Sequence, residues 1–114
     1  MRRVVITGLG IVSSIGNSAQ EVLGSLREGK SGISAAPDYA EHGFRCQVHG
    51  APQIDLAEAV DKRNLRFMGE GAAYNFVAME QAIADAGLEE SEISHPRTGL
   101  IMGSGGPSTK NLFQ

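Results

Sequence analysis

The sequence predicts an α/β domain built on a mainly parallel sheet. Three observations lead there. Arg3–Gly8 (RVVITG) and Thr98–Met102 (TGLIM) are continuous apolar runs, not alternating ones, which is the pattern of strands covered on both faces. Each runs into a glycine-rich loop, Gly8–Gly16 and then GSGGPS at 103–108. Between them lies a long segment of helical periodicity.

The elements follow in order. Asn17–Glu28 reads as a short helix with Val22, Leu23 and Leu26 on its apolar face. Ser18 and Glu21 have capping-box spacing, so each side chain can take the other residue's free backbone amide. Gly29 ends the helix. Residues 34–43 have loop composition. Phe44, Cys46 and Val48 then alternate with Arg45, Gln47 and His49, the pattern of a half-exposed strand or arm. Residues 52–57 connect it to a helical stretch over 61–87. In that stretch Ala72, Phe76, Met79, Ile83 and Ala86 form one stripe. Gly69 and Gly71 divide the stretch into a short and a long helix, and Gly87 is placed as a C-cap. The two apolar strands are expected to be near neighbours with helix 70–87 packed on them.

Two or three strands make a poor sheet, and a parallel pair needs neighbours on both sides. The 114 residues therefore read as the front portion of a longer protein, stopping at Leu112-Phe113-Gln114. The composition is 41% hydrophobic and 20% charged, with a formal charge of −3. That excludes a disordered chain and argues against nucleic-acid binding. No run reaches the about 18–20 apolar residues of a membrane span, so no membrane partner is expected. The opening stretch contains Thr7, Gly8, Gly10, Ser13 and Ser14, too polar for a signal peptide. One cysteine, Cys46, precludes an internal disulfide framework and fits a reducing, cytoplasmic compartment.

Five patterns could carry chemistry. Gly8-x-Gly10-x-x-Ser13 resembles half of a dinucleotide fingerprint. It lacks the third glycine, and Ser14-Ile15-Gly16-Asn17 separate it from the next helix. No helix N-terminus would face a pyrophosphate there, so the glycines read as a site of close packing. His42, Cys46 and His49 have ligand-like spacing, but alternation points Cys46 and His49 to opposite faces. They read as surface histidines and a small buried cysteine, and no metal is expected. Cys46 has no adjacent base or helix N-terminus, so it is not read as a nucleophile. Lys62, Arg63 and Arg66 cluster at helical spacing in an otherwise acidic chain. Such a cluster is either a solvated helix face or a docking patch for an acidic partner. Finally, the glycines of 103–106 allow a ligand or another backbone to approach, although the Gly-Lys-Ser/Thr ending of a P-loop is missing.

Five stretches occur in a telling order: VVITGLGIVSSIGN, SLREGKSGI, RFM, MEQAIADAGL and GLIMGSGGPS. Together they resemble the N-terminal part of the class I β-ketoacyl-[acyl-carrier-protein] synthases. The resemblance covers essentially all of 1–114 and is weakest over 38–60. It implies that residues 1–114 are a partial N-terminal half of a thiolase-like fold, a mixed sheet stacked with helices. It implies fatty-acid elongation by decarboxylative Claisen condensation, without cofactor or metal. It also implies an acyl carrier protein as partner, and a homodimer. The family's cysteine nucleophile, two histidines and lysine would lie beyond this segment, so no catalytic residue is expected in it and the segment alone should be inert. Lys62, Arg63 and Arg66 match the family's carrier-docking patch. Gly106 matches a glycine of the acyl pocket, where class II synthases carry a bulkier residue, and its neighbour Pro107 stands where glycine is frequent. A non-catalytic chain-length-factor-like partner of the same fold, or a dinucleotide-binding module, remain alternative readings.

Overall fold

The structure, a computed structural model, describes residues 2–106 and 108. Pro107 and the 112–114 terminus lie outside the described residues. The chain divides into two units, one formed by 11–54 and the other by 1–10 with 55–114.

The 11–54 unit contains α1 (Ala19–Arg27), β1 (Ile33–Ala35), α2 (Pro37–Glu41) and β2 (Val48–Gly50). Ser18 caps α1 by accepting from the Glu21 amide at 3.2 Å. The Glu21 carboxylate reaches back one residue further than capping-box spacing implies, taking the Asn17 amide at 2.7 Å. Ser25, the buried residue of α1, donates to the Ile15 carbonyl at 2.6 Å and ties the helix to the 13–16 turn. Gly29 then turns the chain with φ 64°. The loop expected over 34–43 holds β1 and α2. Pro37 at the first turn of α2 sets a helical φ and lacks only an amide that no helical carbonyl would accept. β1 and β2 pair antiparallel, with Ile33 opposite Gly50 and Ala35 opposite Val48.

The second unit contains α3 (Leu56–Ala59), α4 (Lys62–Leu65), α5 (Glu70–Ala86) and α6 (Glu90–Ile93). Gly69 stands at the N-cap of α5. Gly87 closes its far end with φ 66°, while the Leu88 amide donates to the Ile83 carbonyl at 3.3 Å. This is the paired C-terminal closure that a left-handed glycine permits. Val60, Ala73 and Val77 are the buried apolar residues of the unit.

Gly8 and Gly10 lie directly on α5. A Cβ at Gly8 would overlap the Ala82 carbonyl oxygen, and one at Gly10 the Ala78 carbonyl oxygen. Between them the Leu9 amide donates to an Asp85 carboxylate oxygen at 2.9 Å. The sequence pattern therefore marks a close backbone crossing over the C-terminal half of a helix, not a loop at a helix N-terminus.

Three expectations change. Residues 3–8 and 98–102 have no strand pairing; Val4 is 92% exposed, Ile6 93% and Ile101 96%. The only sheet among the described residues is the short antiparallel pair. The physical reason is that a parallel strand has no local partner: its ladder and both covering layers must come from elsewhere. The buried face of α5 is also not the predicted stripe. Ala73 and Val77 are buried, whereas Ala72 is exposed and Phe76 and Met79 are half-buried. A helix that is apolar on most sides offers more than one face for burial. Third, Cys46 is exposed, in the link between α2 and β2.

Gly10→Ala is expected to destabilise the chain by about 1–3 kcal/mol, because the added methyl must displace helix backbone. Gly24→Ala, inside α1 with open space around it, is expected to stabilise by about 0.5–1 kcal/mol. Urea midpoints of the two variants check the pair; a neutral Gly10→Ala would contradict the crossing.

Candidate functional site

The cationic turn is built by its own backbone. Val60 is 3% exposed and anchors the entry to α4. The Asp61 carboxylate then caps α4 by accepting from the Arg63 amide at 2.7 Å. Donation from the Arg66 amide to the Lys62 carbonyl at 3.4 Å keeps the helical spacing, so residues 62 and 66 stand one turn apart. Lys62, Arg63 and Arg66 are all exposed. The Arg66 guanidinium lies 4.5 Å from the centroid of the Phe67 ring, and Phe67 is 79% exposed in this chain. This is a cation–π contact at the protein surface.

Phe67 has a second role. It lines an open, mainly apolar groove of about 910 Å³ together with Phe76 and Met79 of α5, Leu100, Met102 and Gly106. An ideal Cβ on Gly106 would meet no heavy atom within 4 Å, so a larger side chain there would occupy free space. The Ser104 hydroxyl donates to the Gly106 carbonyl at 2.7 Å and fixes the local turn. Among the sequence-derived positions, the structure thus places the basic turn and Gly106 in one unit, with Phe67 lining the groove beside Arg66. Pro107 lies outside the described residues. The sequence reading missed Phe67. Its signal was an aromatic directly after an arginine, a pairing that helical periodicity does not reveal.

The other candidates separate from this site. His42 is exposed, with Nδ1 2.7 Å from the Asp38 carbonyl oxygen, and the His49 ring meets Tyr39 edge to face at 5.7 Å. Among the described residues no three His, Cys, Asp or Glu side chains are placed to hold a metal. The Cys46 thiol donates to the Val48 carbonyl, with sulfur and oxygen 3.6 Å apart. Burial, and then the charge of Glu70, raise the pKa of the Tyr74 phenol above its ordinary value, so it stays protonated at neutral pH. The sequence reading also missed a more polar cleft of about 770 Å³ in the 11–54 unit, along Ser14, Gly16, Ser31 and Gln53. Its floor is set by Gly32, where a Cβ would overlap the Ser14 carbonyl oxygen. Among the described residues no helix is long and apolar enough to cross a membrane.

The chain is 50% identical over 111 residues to 3-oxoacyl-[acyl-carrier-protein] synthase 1 of Haemophilus influenzae, covering 97% of this chain and 27% of that protein. It is 53% identical over 111 residues to the synthase 1 of Escherichia coli K12, covering 96% and 27%. Similarity to 3-oxoacyl-[acyl-carrier-protein] synthase 2 of Coxiella burnetii is lower, 35% over 105 residues, covering 91% and 25%. The chain thus spans about a quarter of the length of these curated relatives. The family model described as "Beta-ketoacyl synthase, N-terminal domain" matches residues 1–113, and the chain belongs to that family.

Proposed function

We propose that this chain works as the N-terminal part of a class I 3-oxoacyl-[acyl-carrier-protein] synthase, a homodimeric enzyme of a reducing, cytoplasmic compartment. The observation that carries the proposal is the adjacency of the cationic turn and the apolar groove through Phe67. An acidic carrier protein bearing an apolar acyl chain presents the matching pair of surfaces. The greater identity to relatives named synthase 1 than to one named synthase 2 supports the class, as does glycine at 106.

In the proposed reaction an acyl group passes from its carrier thiol to an enzyme cysteine. Malonyl carrier protein then loses carbon dioxide, and the resulting carbanion attacks the acyl thioester. The cysteine thiolate leaves and a carbon–carbon bond remains. That chemistry needs a low-pKa thiolate and donors for the developing oxyanions. We assign both to residues outside these 114. Cys46 is a poor candidate, because it lies exposed in a connection and not at a helix N-terminus. What 1–114 contributes is recognition: Lys62, Arg63 and Arg66 receive the carrier, while Gly106 borders the acyl chain. Exposed charges mainly steer association, so the turn acts on the encounter rate and its salt dependence.

The same proposal accounts for the bare apolar segments. In a thiolase-like fold, residues 3–8 and 98–102 become strands of a mainly parallel sheet, paired and covered by chain outside this segment. Their exposure here supports that reading.

Three outcomes are expected. In the full-length synthase, Lys62→Glu with Arg66→Glu should raise the Michaelis constant for carrier-borne substrates about tenfold, from exposed contacts of at most about 1 kcal/mol each. A short carrier-free thioester should be affected much less. Equal loss on both substrates would make the turn a structural element. Cys46→Ala should retain most condensing activity, and covalent acyl trapped on Cys46 at the turnover rate would refute the assignment. Backbone amides of 4–7 and 99–102 should exchange rapidly in the 114-residue chain and be strongly protected in the full-length enzyme; hydrogen exchange by mass spectrometry reads both.

A further inference from the structure

We infer that Phe67 is a positioning residue for carrier docking, holding Arg66 ready for an acidic side chain of the partner; the inference rests on the docking reading above. Three observations support it. The Arg66 guanidinium sits over the Phe67 ring at 4.5 Å. Phe67 is 79% exposed in this chain, so the contact lies at its surface. Arg66 stands at the C-cap of α4, directly before Phe67.

The geometry makes the two contacts of Arg66 compatible. A cation–π contact uses the face of the guanidinium, whereas a carboxylate is bound in the plane of its N–H donors. An arginine resting on an aromatic ring therefore keeps its fork free. It has also already lost much of the side-chain freedom that docking would otherwise remove. Lys62 and Arg63 have no aromatic contact among the described residues and supply general positive charge. The partner that fits this turn is an acidic helix or loop. It would place one carboxylate on Arg66, with other acidic groups near Lys62 and Arg63.

The test is a double-mutant cycle on carrier affinity, measured by titrating acyl carrier protein into the full-length synthase. Phe67→Leu should weaken binding about two- to fivefold, the equivalent of one exposed cation–π contact. Phe67→Trp, which keeps an aromatic face, should bind like the parent. In an Arg66→Ala background, Phe67→Leu should add no further loss. The parent's salt dependence should persist in Phe67→Leu, because every charge is still present. Equal loss from Phe67→Leu with and without Arg66, or no loss with Arg66 present, would overturn the positioning role while leaving the docking turn intact. Parental affinity in Arg66→Ala would overturn the docking assignment of Arg66 and this inference with it.

Discussion

The crossing of residues 8–10 over α5 is the contact on which the second unit depends. Gly8 and Gly10 bring main chain against main chain, at a distance that any side chain would prevent. Once they are that close, the Leu9 amide faces solvent or Asp85 alone, and the carboxylate satisfies it with a charge-assisted bond. The crossing also orients α5. With the Ala78, Ala82 and Ala86 side occupied, Phe76 and Met79 line the groove that Gly106 also borders. A dinucleotide-like pattern thus serves helix packing, and its consequence for function is indirect: it sets which face of α5 remains open.

Features decided by neighbours in sequence were legible before the structure. The Ser18 cap, the Gly87 closure and the cationic turn at 62–66 all depend on residues within one helical turn. Features that need distant partners were less so. The apolar runs at 3–8 and 98–102 announce strands by composition, but a strand exists only with its ladder, and the described residues supply none. The stripe from Ala72 to Ala86 was a sound helix signal that named the wrong buried face, because periodicity in a mostly apolar helix has two solutions. Cys46 shows the opposite limit. Its type favours burial, yet the turn between α2 and β2 leaves it at the surface.

The candidate site joins two kinds of surface that are usually separate. Solvated cations contribute little energy individually but act over a Debye length of about 8–10 Å. An apolar groove contributes instead through contact area removed from water. Phe67 belongs to both, lying under Arg66 and lining the groove. Gly106 also lines the groove, and the space beside it is free. Sequence motifs locate the turn and Gly106 separately, but only the fold brings them into one unit.

The bond from Leu9 to Asp85 spans 76 residues, which bears on synthesis by the ribosome. The N-terminal segment emerges first, and its docking helix follows at about 5–20 residues per second. Val4, Val5 and Ile6 therefore wait roughly 4–15 s before the residue that anchors their neighbour has been made. During that interval they form a short β-prone stretch with no assigned partner, the kind of segment that invites intermolecular pairing. Arg2 and Arg3, immediately ahead of it, place two like charges at its start and oppose stacking of identical chains. Two like charges beside an apolar run are the arrangement that discourages such pairing while a chain is still incomplete.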